Sequence, residues 1–337
     1  MGEVTTIGLD IAKSVFQAHG SDGSGQVVFR KKLGRGRLLA FFKGQPPCLV
    51  AMEACAGAHH WGRELAALGH EVRLIPPAYV KPFVKRQKND EADAEAICEA
   101  AQRPTMRFVP VKTEAQQASG VVFRARDLLV RQRTQISNAI RGHLAEYGHV
   151  APKGVCYVEG LIDRIDSLPA AAQPALQALV QAMRALEEQM AVLDREIALR
   201  AKEDETARRL MTIPGVGPVT AAALAALAPD PQAFRCGRDF AAWLGLTPLQ
   251  KSTGGKEKLG RITKMGERTL RRLLVIGASA VIKQALLRGA PTGSWLAQML
   301  ARKPRMLVAV ALANKMARIV WALLARGGIY RAPALAA

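Results

Sequence analysis

Four carboxylates in the first hundred residues have the type and order needed to hold divalent cations. Asp10 closes the strand-like run Ile7-Gly8-Leu9-Asp10, and Glu53 closes Val50-Ala51-Met52-Glu53. Adjacent parallel strands that each end in a carboxylate bring those oxygens together. Asp90 and Asp93 follow at i and i+3, a spacing that puts both on one face of a helix. Acids gathered in this way repel one another unless a cation sits between them, and hard oxygen donors select Mg²⁺, with Mn²⁺ as the alternative. Two such ions about 3.5 to 4 Å apart clamp a scissile phosphate and stabilise its attacking and leaving oxygens. Taken singly, each acid has a plainer use: Asp10 as a strand-end turn, Glu53 as a helix-start charge, Asp90 and Asp93 as first-turn acids favoured by the helix dipole. The ordered set outweighs those separate readings. Glu91 and Glu95 compete with their neighbours for the ligand role. A phosphate-binding loop that opens with Asp after a strand wants glycine two positions on, where this chain has Ala12.

A second constellation is Lys251-Ser252-Thr253-Gly254-Gly255-Lys256, followed by Lys258, Arg261, Lys264, Arg268, Arg271 and Arg272. Glycines let the backbone approach a phosphate, while the cations neutralise it and ease ionisation of a nearby hydroxyl. Ser252 is therefore a candidate nucleophile, Thr253 is its rival, and a simple phosphate contact is the plainer role for either. The candidate nucleic-acid contacts are Lys251, Thr253, Gly254, Gly255, Lys256, Lys258, Arg261, Lys264, Arg268 and Arg271.

The elements that position these residues change character along the chain, giving an α/β part plus an all-α part. Residues 1–112 alternate strand and helix patterns, as a layered α/β domain does. Strands are expected from Thr5 to Asp10, Val15 to His19, Gln26 to Lys32, Cys48 to Met52 and Val72 to Ile75, the last stopped by Pro76-Pro77. Helices fall from Arg37 to Phe42, from Trp61 to Leu68, and from Asp90 to Gln102 behind Asn89 as N-cap. Residues 113–209 carry little strand signal. A helix from Glu114 to Tyr147 precedes a second one in which Leu179, Met183, Leu186, Met190, Leu193 and Ile197 keep a coiled-coil rhythm. The two helices pair either within the chain or across a dimer, with 148–174 as their connection.

Residues 210–337 open with Ile213-Pro214-Gly215-Val216-Gly217-Pro218 before an Ala-rich helix. The pattern fits a helix-hairpin-helix-like turn whose N–H groups grip phosphate, or a plain Pro-Gly turn between helices. A Gly-rich basic loop from Gln250 to Lys264 follows, then helices from Glu267 to Leu287, Trp295 to Arg302 and Arg305 to Ala325.

Size and charge agree with this organisation. The 337 residues suffice for two or three domains of roughly 100 to 200 residues. Lys and Arg number 48 against 28 Asp and Glu, a net charge of +20 that calls for a polyanionic partner. Nucleic acid leads, ahead of an anionic membrane surface. Apolar stretches such as Arg272 to Ala285 meet Lys or Arg before the ~20 residues a membrane span needs, so no membrane role is expected. Met1 to Leu9 has no basic start followed by an apolar run, which points to the cytosol. Five cysteines without a C-x-x-C pair fit neither a disulfide framework nor a zinc ribbon and are expected as reduced core residues. The His59-His60 pair reads as a helix-start feature rather than a ligand set.

Asp10, Glu53 and the Asp90-Glu91-Ala92-Asp93 helix together resemble the Asp-Glu-Asp-Asp set of RuvC-like nucleases, which have the ribonuclease H fold. The run Ala242-Trp243-Leu244-Gly245-Leu246-Thr247-Pro248, then Ser252-Thr253-Gly254-Gly255-Lys256, Gly260, Ile262-Thr263-Lys264 and Gly266, resembles the C-terminal domain of the DEDD transposases of the one-ten family of insertion sequences, its eleven-eleven subgroup included. The resemblance spans nearly the whole chain. It implies a RuvC-like catalytic domain over 1–112, a helical coiled-coil domain over 113–209 and a C-terminal transposase domain over 210–337, assembling as homodimers and then tetramers. It also implies that Asp10, Glu53, Asp90 and Asp93 bind Mg²⁺, and that Ser252 attacks DNA to form a phosphoserine link. A structured bridge RNA is expected to pair with donor and target DNA, so that base pairing supplies sequence choice. The expected setting is prokaryotic, cytoplasmic and nucleoid-associated. Two alternatives stay open: a RuvC-type nuclease or junction resolvase using water, and a non-enzymatic nucleic-acid-binding protein.

Overall fold

Ile7 and Leu9 alternate with Gly8 and Asp10, and that alternation decides how the first sheet is covered. The computed structural model describes residues 3–85, 89–291 and 293–332. Met1 and Gly2, read above as part of the N-terminal segment, and residues 333–337, counted in the last one, lie outside the described residues. The chain divides into two units, Met1–Gln117 and Ala118–Ala337.

In the first unit, β1 (Thr6–Ile11), β2 (Val15–Ser21) and β3 (Val27–Gly34) form an antiparallel meander, followed by α1 (Leu38–Lys43). Then β4 (Leu49–Glu53) pairs parallel to β1, α2 (Ala58–Ala67) crosses over, and β5 (Glu71–Ile75) pairs parallel to β4. The sheet order is β3-β2-β1-β4-β5. After the short α3 (Pro77–Val80) comes α4 (Asp90–Ala101). Ile7, Leu9, Phe16 and Met52 share one face with Leu38 and Phe42 of α1 and Trp61 and Leu65 of α2. Ala51 and Ile75 share the other with Ala96, Ile97 and Ala100 of α4.

Gly8 sits directly beneath α4. A Cβ there would lie 2.2 Å from the Ala94 carbonyl oxygen and 2.7 Å from the Cys98 Cβ, so the missing side chain lets the helix rest on β1.

In the second unit, α5 (Glu114–Ala145), which begins just before the boundary, pairs antiparallel with α7 (Gln173–Glu203). Arg126 binds Asp194, and Arg133 Nη1 lies 3.9 Å from Glu187 Oε1. The pairing left open by the sequence is therefore made within the chain. The connection, including α6 (Glu159–Ile162), closes the end of this helical hairpin through Ile140, Leu144, Val158, Leu161, Ile165 and Val180. Met183, Met190 and Ile197 are buried as the heptad rhythm requires, whereas Leu179, Leu186 and Leu193 stay half-buried.

The chain continues through α8 (Glu205–Leu210), α9 (Pro218–Leu227) and α10 (Gly237–Trp243) to a two-stranded hairpin of β6 (Pro248–Gln250) and β7 (Leu259–Ile262). Three helices follow: α11 (Arg268–Arg288), α12 (Trp295–Arg302) and α13 (Arg305–Arg326). One core runs from Phe123 and Ile197 through Leu210, Leu224, Phe240 and Leu274 to Met316 and Val320. Helix α13 is long and apolar enough to cross a bilayer by length and composition. Here its stripe of Val308, Ala313, Met316 and Val320 is buried in the protein, and Lys315 and Arg318 interrupt the rest.

Two sequence expectations need correction. The run from Gln250 to Lys264, expected as a loop, is largely a β-hairpin. Its strands of three and four residues are almost wholly exposed, so no apolar alternation announces them. Of the five free cysteines, Cys48 and Cys98 are buried and Cys236 is half-buried, but Cys55 and Cys156 are exposed rather than in a core.

Candidate functional site

The parallel register carries two carboxylates to the same level. Leu9 of β1 pairs with Met52 of β4, so the next residues, Asp10 and Glu53, stand side by side on the face that α4 covers. Helix α4 starts above them. The Asn89 side chain accepts from the Glu91 N–H at 3.0 Å, and the Asn89 carbonyl accepts from the Asp93 N–H at 2.9 Å, which fixes the first turn. Because Gly8 admits α4 so closely, ligand oxygens of Asp10, Asp90 and Asp93 all lie within 4.8 Å of one another. Asp10 and Asp93 are half-buried and Asp90 is exposed.

Glu53 registers the same convergence electrostatically. Burial, then the negative charges of Asp10 and Asp93, hold its carboxyl above the ordinary range. Partial burial of the sulfur, then the charges of Glu53 and Asp10, likewise raise the thiol of Cys55, although the residue as a whole is exposed. The rivals Glu91 and Glu95 fall outside the cluster. Glu91 is exposed, and Glu95 accepts from Lys85 at 2.5 Å and from Arg30 at 3.3 Å, which holds its carboxyl low.

The donor set fits a divalent cation. It consists of hard carboxylate oxygens with no imidazole in the group, and a cation would turn the mutual repulsion of these acids into attraction.

Sequence reasoning missed two contributors. Gly8 gave no signal in the pattern beyond interrupting an apolar strand. His19 lies buried on β2 opposite Arg30 of β3, its pKa lowered chiefly by burial, beside the Glu95 network that ties α4 to the sheet. The turn of the paired histidines is structural as expected: His59 Nδ1 receives the Lys112 N–H at 3.1 Å.

The serine lies in the second unit, two residues before the Gly254-Gly255 tip of the β6–β7 hairpin. Thr253 and Lys256 exchange N–H···O bonds of 3.3 and 3.1 Å across Gly254 and Gly255, whose φ values are +55° and +76°. Two consecutive positive φ angles define the hairpin turn that glycine pairs favour. The Lys251 N–H donates to the Lys258 carbonyl at 2.8 Å, and the Lys258 N–H donates to Ser252 Oγ at 3.2 Å. The glycines thus serve turn geometry and leave the hydroxyl exposed. Lys251, Lys256, Lys258, Arg261, Lys264 and Arg268 are exposed as well.

The base of the hairpin is locked to the helical core. A Cβ at Gly245 would lie 2.1 Å from the Met265 carbonyl oxygen, and one at Gly266 would lie 1.8 Å from that of Trp243. Arg271 Nη1 donates to the Leu244 and Met265 carbonyls at 2.9 and 3.1 Å, and burial lowers its pKa. Arg272 Nη1 is held 2.6 Å from Asp127 Oδ1. These two arginines face inward, unlike the other cations of the run.

The turn between α8 and α9 is also a packing element. A Cβ at Gly215 would lie 2.7 Å from the Gly277 carbonyl oxygen, and the Val216 N–H is spent on Ile213 within the turn.

Comparison with known proteins agrees with both halves of this description. Residues 207–289 match the family described as Transposase IS116/IS110/IS902, and residues 7–149 match the DEDD transposases of IS110 type. A relative from Sinorhizobium fredii named as a transposase, y4pF/y4sB, is 50% identical over 98% of this chain and 86% of its own length. The transposase of IS1328 from Yersinia enterocolitica is 42% identical over 98% of this chain and 99% of its own, and that of IS1111A from Coxiella burnetii is 38% identical over 98% and 92%. A chain with the acids converging in one unit, the exposed serine hairpin in the other, and relatives matched over almost its full length belongs to the IS110/IS116 family of DEDD transposases, enzymes that cut and join DNA.

Proposed function

We propose that this transposase breaks and rejoins DNA strands with a divalent metal, Mg²⁺ first and Mn²⁺ second, held by Asp10, Glu53, Asp90 and Asp93 in a RuvC-like domain, and with Ser252 as nucleophile. The observation that carries the reading is the approach of the Asp10, Asp90 and Asp93 oxygens to within 4.8 Å, with Glu53 at the same level on the next strand. A sheet ordered β3-β2-β1-β4-β5, with the acids at the ends of β1 and β4 and on a covering helix, supports the ribonuclease H reading. When bound, the metal polarises the scissile phosphate and stabilises charge on its oxygens.

The chain's own residues do the rest. Ser252 Oγ bonds to phosphorus as a sugar oxygen leaves, and a sugar hydroxyl of the new partner strand later displaces the serine, restoring its hydroxyl. Lys251, Lys256, Lys258, Arg261, Lys264 and Arg268, all exposed around it, hold the strand by its phosphates. The Lys258 N–H donates to Ser252 Oγ, which orients that hydroxyl and favours it over Thr253. Arg271 positions the hairpin through two backbone carbonyls rather than touching DNA.

A bridge RNA that pairs with donor and target DNA follows from the family resemblance, as does assembly from homodimer to tetramer in the bacterial cytoplasm. The exposed Val192 and Leu199 and the half-buried Leu186 and Leu193 of α7 offer a surface for the latter.

Denaturing gels after incubation with bridge RNA and both DNAs test the reading. A protein–DNA adduct is expected with wild type and Thr253→Ala and is absent with Ser252→Ala and Asp10→Asn. Free 5′-phosphate ends without an adduct would assign the chemistry to water, and normal recombination by Asp10→Asn would remove the metal site.

A further inference from the structure

Apart from the acids and the hairpin, α10 and α13 frame a cavity of about 410 Å³ with Arg238, Arg318 and Arg326 in its walls, Trp321 and Ala322 between them, and no carboxylate in the lining. Its walls are built closely. A Cβ at Gly237 would lie 3.1 Å from the Cα and the carbonyl oxygen of Arg318, so α10 begins directly against the α13 backbone. The Trp321 Nε1–H donates to the Pro231 carbonyl at 3.0 Å, which fixes the ring, and the Arg326 guanidinium carbon lies 5.7 Å from the ring centroid. Arg318, Ala322 and Arg326 recur at every fourth residue along one face of α13, and the outer two are about 12 Å apart along the axis.

Charge and size together select the occupant. The acid nearest in sequence, Asp239, is occupied by Arg235 at 3.0 Å, and no ion pair engages Arg238, Arg318 or Arg326 among the described residues. Three exposed guanidiniums without an acid leave room for an anion, and their planar forks match phosphate. A cavity of this volume lies within the range of sites for single small ligands, about 300 to 1,000 Å³. It is open to solvent on one side and of a size to take one nucleotide. A half-buried tryptophan among arginines is the combination with which proteins hold unpaired strands.

We propose that this cavity binds a nucleotide of an unpaired DNA or RNA strand, with its flanking phosphates on Arg238, Arg318 and Arg326 and its base against Trp321. The site is separate from the catalytic reading above and stands whether or not that reading holds.

The test measures binding by full-length protein in EDTA, so that no metal-dependent step contributes. Fluorescent oligo(dT), oligo(U) and a hairpin duplex of equal length are titrated at several salt concentrations. For Arg318→Gln/Arg326→Gln, affinity for the single strands is expected to fall about tenfold, and the log–log salt slope to shrink by about 1.4, since each lost contact removes about 0.7. Duplex affinity stays within twofold. A greater loss on oligo(U) identifies RNA as the natural strand, and a greater loss on oligo(dT) identifies DNA. Trp321→Leu is expected to weaken single-strand binding without altering the slope. Unchanged single-strand affinity, or equal losses on single strand and duplex, would overturn the proposal. Should the double variant unfold on heating below wild type, Arg238→Gln gives the same comparison from the opposite wall.

Discussion

Replacing Asp10 by Asn gives the sharpest prediction, because it should stabilise the metal-free protein while removing its response to metal. Asp10 has Asp90 and Asp93 oxygens within 4.8 Å and Glu53 beside it on the next strand. At that separation two unit charges repel by about 1 kcal/mol in water-like surroundings and by about 3.5 kcal/mol at an effective dielectric of about 20. With Asp90 exposed, the lower figure applies, and relief from two such pairs is about 2 kcal/mol. For a unit of this size that raises Tm by roughly 5 to 10 °C in EDTA. Mg²⁺ at a hundred times its Kd stabilises wild type by about 2.7 kcal/mol, and the variant by little. The order of stability should therefore reverse: variant above wild type in EDTA, wild type level or above in Mg²⁺. Differential scanning calorimetry with EDTA, Mg²⁺ and Ca²⁺ reads both effects. A variant that melts lower in EDTA and gains as much from Mg²⁺ as wild type would show that these acids neither repel nor share an ion.

Three further outcomes follow. Glu53 binds its proton more tightly when folded than when unfolded, so the metal-free protein should lose stability as pH rises from about 4.5 through its raised pKa, and Glu53→Gln should flatten that fall in urea midpoints. Gly8→Ala forces a Cβ to within 2.2 Å of a carbonyl oxygen. It should cost about 1 to 3 kcal/mol in denaturant unfolding and, by lifting α4, abolish the Mg²⁺-induced rise in Tm. Arg271→Ala strips a half-buried donor from two carbonyls. It should cost about 1.5 to 3 kcal/mol and suppress strand transfer in a gel assay, while the Mg²⁺ shift of the carboxylate unit persists.

The carboxylate half of the molecule was legible because each of its signals is local. The β1 and β4 apolar runs, the Asn89 cap and the first-turn acids each follow from neighbours in sequence, and α4 begins at Asp90 as the cap dictates. What the pattern could not supply was distance: only the backbone approach at Gly8 explains why α4 lies close enough for its acids to meet Asp10. The serine half was harder. Gly254 and Gly255 hold positive φ angles in a two-residue turn, a use that a Gly-rich basic run does not announce. Arg271 and Arg272 sit among surface cations in the sequence yet turn inward, because Leu244, Met265 and Asp127 come from distant segments. The heptads of α7 left open whether its partner helix comes from the same chain or from a second copy. Arg126 and Arg133 of α5 meet Asp194 and Glu187 within the same chain, and nothing in a repeat specifies that choice.

The amide of Lys258 that donates to Ser252 Oγ ties the order of the hairpin to the protonation of its hydroxyl. An alkoxide accepts a hydrogen bond more strongly than a neutral hydroxyl does, so loss of the proton tightens the rungs between the two strands. Thermodynamic reciprocity makes the converse hold: whatever straightens this ribbon makes the oxygen more acidic. The cross-strand bonds of Lys251 and Thr253 that hold the ribbon straight therefore also favour ionisation of the oxygen beside them.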